Sequence, residues 1–202
     1  MSDALITRRL PVGSVLSYPA GWMGMLFLIM TEASLFAHLM FSYFYLTVQP
    51  HPGATWPPGG PPTFTYSIPE SVVLILASAG MWWGYRAIRR GLVLQLSIGI
   101  AAALFFSAAF IGIELWEWST KPFKISTDVY SSIYFTTTGL HLAHVAVEIV
   151  MLIAMLVWSL LGYFDRARNG YVAMLAIYTY FVTAAWLALF FMFYITPRFG
   201  VT

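Results

Sequence analysis

YVAMLAIYTYFVTAAWLALFFMFYITP, residues 171–197, contains no Asp, Glu, Lys or Arg. The run is longer than the about 20 residues a helix needs to cross the hydrocarbon core, and it lacks the strict alternation of a barrel strand. The stretch from Gly91 to Ile113 is equally free of charge. Composition agrees: 60% of the 202 residues are hydrophobic and 9% are charged. A chain this apolar cannot hide its surface in one globular core, so the bilayer is its solvent. The same reading along the sequence gives five helical spans, at about 21–47, 68–88, 92–118, 129–162 and 171–196. They form an all-α integral membrane protein with a single membrane domain over 1–202 and no internal repeat. The fourth span exceeds what the hydrocarbon requires and is expected to project or tilt.

Basic residues set the orientation. Arg8, Arg9, Arg86, Arg89, Arg90, Arg166 and Arg168 fall on one side, and Lys121, Lys124 and Arg198 on the other. The positive-inside rule puts the N-terminus in the cytoplasm and the C-terminus outside. The apolar run after Arg8 and Arg9 is too long for a signal-peptide core and has no convincing cleavage site, so it is expected to be retained. With no cysteine, disulfides, thiolate metal sites and covalent c-type haem are excluded. A net charge of +2 with scattered basic residues gives no nucleic-acid surface. The loop 49–66 carries Pro50, Pro52, Pro57, Pro58, Pro61 and Pro62 with Gly53, Gly59 and Gly60, and cannot be helical. With Trp56 and Phe64 it reads either as a segment packed on protein or headgroups, or as a stiff external linker.

Residues 134–148, YFTTTGLHLAHVAVE, bring chemistry into the fourth span. At about 100° per residue, His141, His144 and Glu148 share one arc of the helix, and Thr137 joins it. Ionisable groups inside a span are expensive and face protein or water. In the first span Glu32 lies roughly 16 Å from the helix start, near the midplane. Because the fourth span runs the opposite way, a contact of Glu32 with His141 or His144 is expected. Each also has a structural reading, as an interhelical hydrogen bond of about 1 kcal/mol or less. No metal is expected, because two histidines on one helix face cannot supply opposed haem ligands. The remaining two, His38 and His51, show no Glu-x-x-His pattern. GMWWG, residues 80–84, is a GxxxG pattern that lets another helix approach. Glu70 and Glu114 read as boundary residues without a special task. Glu117 and Lys121 have i,i+4 spacing at the point where the span is expected to end.

Four stretches in order resemble subunit III of the haem–copper oxidases in its shorter five-helix form. They are GMLFLIMTEASLF (24–36, with Glu32), Trp56-Pro57-Pro58, Trp116-Glu117-Trp118, and YSSIYF (130–135) followed by TGLHLAHV (138–145). The last is similar to the family's FF..TGFHGLHV signature. There are departures. Thr31 stands where the family has Ser, and Glu148 where it usually has Gly. The family's Tyr-Trp-His-Phe-Val-Asp appears here as residues 178–183, YTYFVT, without the His and the Asp, although Trp186 follows as expected.

The resemblance implies a bundle with a V-shaped, lipid-filled cleft. It also implies a non-catalytic subunit of an aerobic terminal oxidase that reduces oxygen to water and translocates protons. Such a subunit stabilises catalytic subunit I, neighbours electron-accepting subunit II, and supports proton uptake from a bacterial plasma membrane position. Haem and copper are then expected in the partner subunits, with bound phospholipid as the only cofactor of this chain. Glu32, His141, His144 and Glu148 are the proton-related or structural polar cluster. Trp56, Trp116, Glu117 and Trp186 are candidate lipid or subunit contacts, and no residue is assigned catalysis. A nitric-oxide-reductase-associated member of the same superfamily and a stand-alone proton-coupled transporter are the alternatives.

Overall fold

The structure, a computed structural model, describes residues 18–49 and 56–199. Arg8 and Arg9, and Pro50, His51, Pro52 and Gly53 of the loop, lie outside the described residues. Among the described residues, five helices are long and apolar enough to cross a membrane. These are α1 (Tyr18–Thr47), α2 (Ser67–Ile88), α3 (Val93–Thr120), α4 (Val129–Leu160) and α5 (Gly170–Phe190). After α5 the chain widens into a π turn (Phe191–Ile195) and tightens into a 3₁₀ turn (Thr196–Phe199). Pro197, lacking an N–H, cannot extend a regular helix there.

The connections on the inner side are short and built by glycine. After α2, Gly91 takes φ +82°, and the Leu92 N–H bonds back to Ala87 O at 3.1 Å. After α4, Gly162 takes φ +76°, and the Tyr163 N–H reaches Trp158 O at 3.0 Å. Both glycines occupy the left-handed position that closes a helix and satisfies its last carbonyls. At the outer side Asp128 caps α4, its Oδ1 accepting from the Ser131 N–H at 2.6 Å.

Helices α2, α3, α4 and α5 close into a ring in which each touches its two neighbours. Helix α1 leans on the outside of that ring, chiefly against α4 and α5. It runs parallel to α5: Gly21 lies beside Met174, Phe36 beside Phe181 at 6.3 Å, and Tyr43 beside Phe193 at 5.1 Å. Only 6% of the most apolar stretch of α1 is buried, against 56% in the last span, which makes α5 the central helix.

The tightest contact is α2 on α3. A Cβ on Gly99 would stand 2.7 Å from Gly80 O and from Gly84 Cα, so the GxxxG pattern of α2 meets a third glycine on α3. Lipid tails are as apolar as leucine, so close van der Waals contact of this kind, more than the hydrophobic effect, holds helices together in a bilayer.

Packing changes character along the ring. The inner half is aliphatic, with Ala77, Met81, Leu96, Ile100, Leu152, Val172 and Ala176 buried together. The outer half is aromatic, with Tyr43, Trp56, Tyr130, Tyr134, Phe193 and Tyr194 buried together and Phe193 edge-on to Tyr43 and Tyr134. The described part of the proline loop joins this layer: Trp56 sits on Tyr43 and Tyr130, and the Arg198 guanidinium lies 3.8 Å over the Phe64 ring. That part is packed on protein rather than free as a linker.

Candidate functional site

Most polar side chains of α1 need nothing from outside their own helix. Thr31, Ser34 and Ser42 donate to the carbonyls of Leu28, Met30 and His38 at 2.8–2.9 Å, and His38 Nδ1 donates to Ser34 O at 2.6 Å. Glu32 is different. Its Oε2 meets His144 Nε2 of α4 at 2.9 Å, with the two side chains 26% and 10% exposed. Phe36 packs at a tilt against the His144 ring, centroids 5.1 Å apart, and closes one side of the seam.

The other nitrogen of His144 fixes the chemistry of this bond. His144 Nδ1 lies 2.7 Å from Leu140 O, and a carbonyl only accepts, so Nδ1 carries a hydrogen. The bond to Glu32 therefore needs exactly one more hydrogen, placed either on Nε2 or on the carboxyl. An imidazolium–carboxylate pair and an imidazole–carboxylic acid pair both satisfy the geometry, and both carry the same total charge. One proton can shift across this seam without creating an unpaired charge.

The remaining residues of the arc face elsewhere. His141 is fully buried, and its Nε2 donates to Val182 O of α5 at 3.0 Å. Its ring sits against Phe110 and Trp186, both at 5.3 Å, inside the four-helix ring. Glu148 is 1% exposed and accepts from Ser107 Oγ of α3 at 3.5 Å, with Thr179 of α5 beside it. The structure thus brings Glu32 to His144 and leaves His141 and Glu148 facing α3 and α5 in the ring interior. Small differences in angle on one arc decide this, since His144 faces α1 while its neighbours face α3 and α5.

Two surface assignments need correction. Glu117 (2% exposed) and Trp186 (1% exposed) are enclosed by this chain and cannot touch lipid or another subunit directly. Trp186 lies at the ring centre, its Nε1 donating to Ser71 Oγ at 3.0 Å. Trp56 is also mostly covered, whereas Trp116 is 65% exposed and open to a partner or to lipid.

Sequence reasoning missed a second polar site. Glu70, Glu114 and Glu117 are 0%, 1% and 2% exposed, and each offers an oxygen within 4.8 Å of the other two. Glu70 and Glu114 do lie near helix ends, but this chain encloses them instead of leaving them at a surface. Helix α3 continues through Thr120, so Lys121 reaches Glu117 Oε1 at 2.6 Å, and Tyr194 Oη donates to the same oxygen at 2.9 Å. The available signal was the spacing Glu114–Glu117–Lys121 on one helix face. Glu70 could be added only by knowing that the start of α2 packs against the end of α3.

The donor set does not suit haem or copper. Both ring nitrogens of His144 are engaged, His141 keeps only Nδ1, and His38 spends Nδ1 on its own helix.

Residues 19–197 match the family described as cytochrome c oxidase subunit III. Among similar proteins are the cytochrome c oxidase subunit 3 of Marchantia polymorpha, 32% identical over 172 residues, and that of Pylaiella littoralis, 28% identical over 173. That of Petromyzon marinus is 27% identical over 176. Each alignment covers 83% of this chain and, respectively, 65%, 64% and 66% of the relative, so the chain spans a little under two thirds of their length.

Proposed function

Because the chain belongs to the cytochrome c oxidase subunit III family, we propose that it is a non-catalytic integral subunit of a terminal oxidase that supports proton uptake by its catalytic neighbour. The carrying observation is the Glu32–His144 contact, which joins α4 to the helix whose apolar stretch is the least buried of the five among the described residues. The exposed face of α1, with Phe27, Met30, Phe41 and Tyr45 all more than half exposed, is the surface offered to subunit I or to lipid. Subunit II, the haem and the copper belong to the same assembly in this reading, in a bacterial plasma membrane. The implied lipid-filled cleft would follow the furrows beside α1. A second lipid contact is a pocket of about 530 Å³ at the inner side, lined by Arg86, Arg89, Arg90, Trp82, Tyr85 and Tyr180. Guanidinium groups beside aromatic rings suit a phosphate headgroup with its acyl chain.

A stand-alone proton relay through Glu32, His141, His144 and Glu148 is the poorer reading, since His141 and Glu148 face the ring interior and not the Glu32–His144 seam.

Purification in mild detergent through a tag on this chain tests the assembly. Co-elution of a haem- and copper-containing oxidase is expected, and a colourless homo-oligomer would overturn the proposal. Within the complex, Glu32→Ala is expected to shorten sustained turnover while assembly persists. Complexes that assemble poorly yet turn over normally would reduce Glu32 to a packing residue.

A further inference from the structure

We propose that Glu70, Glu114, Glu117 and Thr138 hold one hard divalent cation of calcium's size at the outer end of the ring. The site joins α2, α3 and α4, and the inference rests on the chain's own geometry, independent of its role in an oxidase.

The argument begins with orphaned oxygens. Both carboxylate oxygens of Glu70, both of Glu114 and Oε2 of Glu117 are buried without a hydrogen-bond partner. An unpartnered carboxylate buried in a membrane protein is among the costliest groups a fold can carry. A separate observation comes from α4. Thr138 is 2% exposed, neighbours the Glu114 carboxylate and completes no hydrogen bond of its own. A buried hydroxyl from a third helix thus points into the cluster. Its oxygen and the five carboxylate oxygens make six unused oxygen donors.

Size and charge fit the same occupant. Ligand atoms within 4.8 Å of one another can surround an ion at the ~2.4 Å that calcium–oxygen bonds take. All-oxygen ligation selects a hard cation over zinc or copper. Ionised around a bound cation, the three carboxylates would carry three negative charges, and Lys121, bonded to Oε1 of Glu117, would return one positive charge. One divalent cation balances the remainder. Lys121 stays at the rim, 4.9 Å over the Tyr134 ring, and leaves Oε2 of Glu117 free.

The test uses the intact detergent-solubilised complex, stripped with a chelator and titrated with Mn²⁺ alone. Wild type is expected to retain one more Mn²⁺ per chain than Glu70→Gln/Glu114→Gln, with Ca²⁺ displacing it; ions held by partner subunits cancel in the comparison. Tb³⁺ should show emission excited through the nearby Trp118 and Tyr194 rings, lost in the double variant. Should that variant fail to assemble, Thr138→Val removes a single donor without removing charge. It is expected to weaken Mn²⁺ binding by about tenfold, the low end of what a supporting group contributes to a metal site. Equal Mn²⁺ retention and equal affinity in wild type and variants would overturn the proposal and leave protons as the neutralising partners.

Discussion

Glu32 and His144 share a seam in which the carbonyl of Leu140 has already decided the position of one imidazole hydrogen. A neutral amide can stand in for the carboxyl there, because its NH₂ donates to Nε2. We therefore expect Glu32→Gln to keep thermal stability in detergent within about 0.5 kcal/mol of wild type, whereas Glu32→Ala loses about 1 kcal/mol. Equal losses in both variants would remove the bond from the account of stability. The variants separate packing from proton handling, since only the carboxyl can release a proton. A different residue carries more of the fold. Trp186 fills the ring centre between Phe110 and His141, and Trp186→Ala should cost about 3–5 kcal/mol. Trp186→Phe keeps the ring and loses the bond to Ser71, about 1 kcal/mol. A denaturant or thermal series that fails to rank the two in that order would place the strain elsewhere.

Between helices, glycine and hydroxyl contacts do the joining. Gly80, Gly84 and Gly99 let the backbones of α2 and α3 touch, and Ser97 bonds Ser159 at 2.9 Å between α3 and α4. Ser78 meets Thr183 at 2.8 Å between α2 and α5. Adding one methyl group at Gly99 would collide with backbone rather than with a side chain that could swing aside. Gly99→Ala is therefore expected to destabilise by about 1–3 kcal/mol, as overpacking does. Gly112→Ala, on the same helix with open space around it, should be neutral or slightly stabilising. Unfolding midpoints of the two variants compare them directly, and indistinguishable values would mean that the α2–α3 contact is looser than drawn. The GxxxG pattern was visible in the sequence, but its partner was not, because a single Gly on another helix carries no pattern.

At the scale of the molecule, the arrangement is a four-helix ring with a fifth helix laid parallel to the last. The chain lacks cysteine, so an introduced pair reports on one contact only. Gly21→Cys with Met174→Cys should cross-link through a short thiol reagent, since a Cβ at Gly21 would already touch Met174. Gly21→Cys with Phe193→Cys should not, since Phe193 sits beside Tyr43 near the other end of α1. The reverse result would make α1 antiparallel to α5 and would separate Glu32 from His144. A parallel pairing also explains the exposed flank of α1, which has neighbours on one side only and leaves the other for lipid or a larger protein.

The amino-acid sequence alone determined the solvent, the number of helices and their type, because hydropathy over some twenty residues depends on local chemistry and not on neighbours in space. It also determined that Glu32 and the histidine arc must be accommodated, because an ionisable group in hydrocarbon cannot be ignored. Which histidine met Glu32 was decided by tertiary structure, through a difference of some 60° around α4 between facing α1 and facing the ring interior. The buried set of Glu70, Glu114 and Glu117 was decided there too. Residues forty or more positions apart become neighbours only when antiparallel helices stack their ends at one depth, and no local pattern encodes that depth.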